Sequence, residues 1–154
     1  MSLTFEIPGD RTIELTDLLL DVNGTLTNRG DLIAGVRPRL LQLSSRCTIH
    51  LVSADTFDTL EDLARSLEVS ATRVSSGHEK VDFVNRCGAD HCGVVGNGDN
   101  DAMALRVAAL SLVVLGPEGL SPRALQAADV VCGSITDALD LLDDPRALAA
   151  TLRP

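Results

Sequence analysis

A chain of 154 residues is the size of one domain and is long enough to bury a core without disulfides or a structural metal. Hydrophobic residues make up 45% but aromatic ones only 2%, with no Trp or Tyr. The core must therefore be aliphatic, which suits a buried parallel sheet under helices and speaks against an aromatic-rich sandwich. The net charge of −9, from 13 Lys+Arg against 22 Asp+Glu, disfavours nucleic acid and anionic membrane as partners; a phosphorylated small molecule fits only where a cation and a Lys reverse the sign locally.

In chain order, Thr4–Ile7 and Arg11–Leu15 flank the turn Pro8-Gly9-Asp10 and predict an N-terminal β-hairpin over 1–16. Leu18-Leu19-Leu20 is a buried strand ending in Asp21, followed by the polar loop Val22-Asn23-Gly24-Thr25-Leu26-Thr27. Val36 to Ser44 has helical spacing, Thr48 to Val52 is a second buried strand ending at Ser53-Ala54-Asp55, and Phe57 to Leu67 a second helix. A weak strand near Thr72 to Val74 leads through Gly77-His78-Glu79 to a helix over Lys80 to Cys87. Gly93-Val94-Val95 opens into Gly96-Asn97-Gly98-Asp99-Asn100-Asp101, then a helix over Ala102 to Ala108. Leu110 to Leu115 is a strand stopped by Gly116-Pro117. Pro122 to Ala128 is a short helix, Val130 to Cys132 a last strand, and Ile135 to Leu142 and Arg146 to Leu152 are terminal helices, separated by a break and cap at Asp143-Asp144-Pro145.

This alternation implies a doubly wound, Rossmann-like α/β fold with a parallel sheet and helices on both faces. It predicts one domain over 1–154: the hairpin at 1–16, a core at 17–133 and the C-terminal helices at 134–154. Ligands of such sheets bind at the carboxyl ends of the strands, so the loops after Leu20, Val52 and Val95 are candidates to meet. No apolar run approaches the roughly 18 to 20 residues of a membrane span, and Met1 to Gly9 has no signal-peptide pattern, so a cytoplasmic protein is expected. None of the four cysteines falls in a CxxC pair, and buried reduced thiols are the expectation. A zinc site on Cys87, His91 and Cys92 is the alternative, without a clear fourth ligand. His50 reads as a packed sheet residue, His78 as a solvated turn, and Asp55, with Thr56, as a helix cap or a pocket residue.

An Asp at the end of a buried strand either caps the next element or is held ionised by a metal, a cation or backbone N–H groups. Ser53 adds a hydroxyl, Lys80 a cation placed early in a helix where cations are usually disfavoured, and Asn97 to Asp101 a set of oxygens. Acidic groups with a Lys and hydroxyls at strand ends suit Mg²⁺ and phosphate.

As a set, these residues resemble the motifs of the haloacid-dehalogenase (HAD) superfamily. Asp21-Val22-Asn23-Gly24-Thr25-Leu26-Thr27 is similar to its DxDG[TV] motif and still closer to the DKTGTLT motif of P-type ATPases. Ser53 matches the second motif, Lys80 the third, and Gly96 to Asp101 the GDGxND of the fourth. The subgroup it most resembles is the small soluble P-type-ATPase-like proteins. The resemblance implies a Mg²⁺-dependent phosphohydrolase. Asp21 would be the nucleophile, forming an aspartyl-phosphate. Phosphate would rest on Asn23, Gly24, Thr25, Ser53, Ala54 and Lys80. Metal would sit at Asp21, the Asn23 carbonyl, Asn97 and Asp101, with Asn100 and Asp101 organising the metal shell and Lys80.

Two positions depart from the pattern. The general acid/base Asp is Asn23, and acid–base help is worth about 10²–10⁴-fold in rate. This favours slow turnover or good leaving groups. Asn97 replaces the Asp that binds Mg²⁺ directly, which implies weaker metal affinity. The spacings from Thr27 to Ser53 and from Ser53 to Lys80 leave no room for a cap domain, so the site should be open. A homo-oligomer is then expected, in which the hairpin or the tail from Arg146 to Pro154 covers an adjacent site. Two further readings are a regulatory relative that binds phosphate or Mg²⁺ without turnover, and a capless sugar-acid phosphatase, against which Asn23 weighs.

Overall fold

A computed structural model describes residues 1–54 and 59–154. Asp55, Thr56 and the predicted helix start at Phe57 lie outside the described residues.

Period-two sorting of aliphatic side chains builds the sheet. In β3 (Asp17–Asp21) Leu18 and Leu20 enter one apolar cluster while Leu19 enters the other; in β8 (Cys92–Gly96) and β9 (Leu110–Val114), Val95, Leu112 and Val114 oppose Val94 and Val113 in the same way. Strands buried on both faces belong to a parallel sheet between two helical layers. With β6 (Thr48–Ser53), β7 (Ser70–Arg73) and β10 (Val130–Cys132), they form one six-stranded sheet of order β10-β9-β8-β3-β6-β7, parallel at every pairing.

One face is covered by α1 (Val36–Ser44), α2 (Thr59–Leu67) and α6 (Ile135–Asp143), the other by α3 (Gly77–Cys87), α4 (Ala102–Val107) and α5 (Pro122–Ala127). The doubly wound expectation is met. No helix among the described residues is long and apolar enough to cross a membrane.

The predicted N-terminal hairpin is present as β1 (Leu3–Glu6) and β2 (Thr12–Leu15). It leads through Thr16 into the start of β3 and packs on α7 (Pro145–Leu152), at the end of the sheet opposite the loops that follow Asp21 and Val95. Asp144 caps α7 by accepting from the backbone N–H groups of Arg146 and Ala147, as the break at Asp143-Asp144-Pro145 predicts.

A second hairpin, β4 (Thr27–Asn28) with β5 (Asp31–Leu32), stands where the sequence predicts only loop. Its turn residues Arg29 and Gly30 both have positive φ, as a tight two-residue hairpin turn requires.

Candidate active site

The sheet reverses direction at β3: the chain runs outward through β6 and β7, then returns to the other side of β3 as β8. At such a switch point the loops after neighbouring strands separate and leave a crevice. Here a cleft of about 470 Å³ opens, lined by Asp21, Asn23, Ser53, Ala54, Asn97 and Asn100 from the three predicted loops.

Asp21 forms the floor, 9% exposed at the end of β3. Lys80 Nζ donates to its Oδ1 at 2.9 Å and to Asp101 Oδ1 at 2.5 Å. Burial and the neighbouring Asp101 carboxylate push the Asp21 carboxyl up to about 6, against the opposing pull of Lys80 and Thr25. Burial alone would lower the Lys80 ammonium; the two carboxylates outweigh it and raise it, so Lys80 is charged.

The sequence places the start of α3 at Lys80, but the helix begins three residues earlier. Ser76 is its cap, accepting from the Glu79 N–H, and the Glu79 carboxylate reaches back to the Ser75 N–H at 2.6 Å. Lys80 thus sits in the first turns with its side chain leaning back toward the helix start, which is where the two carboxylates lie. Gly77 makes this possible: a Cβ there would stand 2.9 Å from the backbone oxygen of Asn100.

Asp101 is 1% exposed, and besides Lys80 its Oδ2 accepts from the Asn97 and Gly98 N–H groups at 3.0 and 2.9 Å. This arrangement organises Lys80 and the loop after β8, whereas the expected direct metal contact has no support: Asp101 does not line the cleft. Thr25, expected on phosphate, is fully buried instead, and its hydroxyl is spent on Asp21 Oδ2 at 3.2 Å and Asn97 Oδ1 at 3.0 Å. Gly24 lies under the Glu118 side chain, which a Cβ at Gly24 would strike. Asn23 reaches Ser53, its Nδ2 donating to Oγ at 3.2 Å. Asp99 pairs with Arg123 on the surface.

Oxygen donors here suit a hard divalent cation. Asn97 Nδ2 donates to the Gly119 carbonyl at 3.1 Å, which turns Oδ1 toward Thr25. One hydroxyl proton then serves both Asp21 Oδ2 and Asn97 Oδ1, and a single ammonium faces two carboxylates. The site is rich in acceptors and short of positive charge, so a cation fits at Asp21 and Asn97.

The alternative zinc set is not brought together. His91 Nδ1 contacts the Glu14 carbonyl and Cys92 is buried in the sheet, while Cys87 lies with Asp17 and His50, whose own pairing at 2.6 Å makes His50 the packed sheet residue expected. His78 is exposed.

Sequence reasoning missed the fourth wall. Glu118, Gly119, Leu120 and Ser121, in the loop after β9, line the cleft. The strand-end rule that singled out three loops applies equally to β9, whose Gly116-Pro117 the sequence presents merely as a stop.

No family model matches the sequence. Two archaeal proteins of Methanocaldococcus jannaschii do: the uncharacterised MJ0073 is 42% identical over 59 residues, which span 38% of this chain and 63% of MJ0073, less than two thirds of its length. MJ0072 is 46% identical over 39 residues, 25% of this chain and 89% of that protein. Among solved structures, the cobalt-bound deoxy-D-mannose-octulosonate 8-phosphate phosphatase of Haemophilus influenzae superimposes with a TM-score of 0.66 at 15% identity, covering 91% of this chain and 94% of that one. The corresponding phosphatase of Moraxella catarrhalis, solved with magnesium, phosphate and KDO, gives 0.64 at 17% identity over 90% and 94%. A phosphoserine phosphatase gives 0.70 at 12% identity over 84% and 98%.

Proposed function

Taking as premise that the chain belongs with MJ0072 in one sequence family and has the fold of the HAD-family hydrolases, we propose that it is a Mg²⁺-dependent phosphohydrolase of small phosphorylated molecules, working through an aspartyl-phosphate on Asp21. The observation that carries this reading is the buried Asp21 carboxylate, in contact with Lys80 on the floor of a cleft that Ser53 and Asn97 also line.

An Asp21 oxygen attacks phosphorus, the bond from phosphorus to the leaving oxygen breaks, and water then cleaves the acyl phosphate to release phosphate and restore Asp21. Lys80 keeps Asp21 ionised and steadies the charge on the transferring group, Ser53 Oγ and the backbone at Gly24 and Ala54 hold phosphate oxygens, and Thr25 fixes the orientation of Asp21. Asp21, Asn97 and the Asn23 carbonyl would hold a divalent cation, which would supply neutralisation of the phosphate charge.

Asn23 has no proton to give a departing alkoxide. The favoured substrates are therefore those whose leaving group needs none, acyl phosphates and nucleoside di- or triphosphates, and the soluble P-type-ATPase-like subgroup is the better assignment than a sugar-acid phosphatase. All four cysteines are free and burial raises their thiols, which suits a reducing cytoplasm.

The test is hydrolysis of acetyl phosphate, an aryl phosphate and a nucleotide panel, with and without Mg²⁺. The parent should turn over acetyl phosphate only with Mg²⁺, and Asp21→Asn should lose about 10³-fold or more. Equal slow rates for both proteins would reject the enzyme. Mg²⁺ or phosphate binding without hydrolysis would select the regulatory reading, which the two amides Asn23 and Asn97 favour.

A further inference from the structure

We propose that Glu118 is a second charged group, beside Asp21, that holds the divalent cation in this cleft, in place of the carboxylate that position 97 lacks. The inference rests on the phosphohydrolase reading and names a residue that the motifs do not.

Glu118 sits in a tight turn from Gly116 to Gly119, closed by the Gly119 N–H donating to the Gly116 carbonyl at 2.9 Å, with Pro117 restricting the backbone and Gly119 at φ +83. The loops after β3 and β8 both hold this turn. On one side Gly116 packs against the Gly24 carbonyl so closely that no side chain fits at 116. On the other, the Asn97 amide donates to the Gly119 carbonyl at 3.1 Å and the Ser121 N–H donates back to the Asn97 carbonyl at 2.8 Å. The turn is thus built into the site rather than hanging over it.

Its tip lays the Glu118 carboxyl across Gly24, which accepts this only because it has no Cβ and stands at φ +73. Among the described residues that line the cleft, Asp21 and Glu118 are the carboxylates. Asp21 is engaged by Lys80 and Thr25; Glu118 has no hydrogen bond or ion pair among the described residues. The Glu118 side chain is exposed, and the braced turn fastens its carboxylate at the rim of an acceptor-rich cleft, where a cation would find a negative ligand.

Position decides its role. Glu118 stands on the side of Asn97, through Gly119, whereas Asn23 leans toward Ser53. That link to Asn97 through the turn assigns it to the cation site.

The experiment measures Mn²⁺ binding by electron paramagnetic resonance on the full chain without substrate. Glu118→Gln should weaken binding on the order of tenfold, and Asn97→Asp in the same chain should restore it, because one charge replaces the other. Asp99→Asn, which removes an equal charge outside the cleft, should leave Mn²⁺ binding unchanged. Thermal melts of each variant confirm folding. A parent that binds Mn²⁺ and a Glu118→Gln chain that binds it equally well would overturn the role of Glu118 and leave the phosphohydrolase intact. A parent that binds no Mn²⁺ and hydrolyses no phosphate with Mg²⁺ would instead remove the phosphohydrolase reading, and this inference with it.

Discussion

Asn23 and Asp21 each make a prediction that a single substitution can read. Asn23 occupies the exposed lip of the cleft, hydrogen-bonded to Ser53, so an Asp of the same shape fits there without repacking. Asn23→Asp should raise turnover of an alkyl phosphate by about 10²–10⁴-fold, while acetyl phosphate, which needs no proton, gains little. Steady-state rates on the two substrates check this. Asp21 carries the second prediction. Its folded carboxyl stands at about 6 against an ordinary value of 3.8, chiefly because of burial and Asp101. A raised acid pKa means that the protonated form is favoured on folding. That contribution is complete below the ordinary value and is lost as pH rises through about 6. Without cation, Asp21→Asn should therefore be more stable than the parent at pH 8, on the order of 1–3 kcal/mol, with the gap closing by pH 4. Urea titrations at the two pH values measure it.

Elements differ in how much of them the sequence discloses, and the differences have physical causes. Strands such as β3 and β9 were legible because burial on both faces makes them unbroken apolar runs. The hairpin of β4 and β5 was not, since two-residue strands are too short for any period to show and their pairing depends on the turn at Arg29 and Gly30. Residues that converge from separate loops were readable where a motif pattern tied them together, as with Asp21, Ser53 and Lys80. Glu118 belongs to no pattern, and its place follows only from the contacts of Gly116 with Gly24 and of Gly119 with Asn97. The start of α3 is a different kind of miss, because Ser76-Gly77-His78-Glu79 has the legible S-x-x-E pattern of a capped helix start, which Gly and His obscure. That cap aims Lys80. Ser76→Ala should cost about 1 kcal/mol of stability and lower kcat for acetyl phosphate through Lys80, leaving the fold intact. Thermal melts and kinetics on one preparation separate the two effects.

At the scale of the molecule, the cleft is open: among the described residues, the connections between β3 and β7 carry only single helices and one short hairpin, with no inserted cap domain. An aspartyl-phosphate in an open site is exposed to water from every side, and enzymes generally close such sites. Neither the N-terminal hairpin nor α7 can do so within one chain, because they pack on each other at the far end of the sheet. A second copy can. Leu115, one residue past β9 and beside the Gly116 turn, is 60% exposed, and Val131 on the edge strand β10 is 56% exposed. Exposed apolar side chains on and beside an edge strand are where a neighbour would seat. Two bodies of net charge −9 repel, so the association should strengthen with salt as that repulsion is screened within a Debye length of about 8 Å at physiological ionic strength. Light scattering should give a mass above 16.2 kDa at 150 mM salt, falling toward the monomer at low salt and for Leu115→Asp with Val131→Asp. A monomeric mass at every concentration and salt would mean that the site works open, and the substrate would then be large enough to close it from outside.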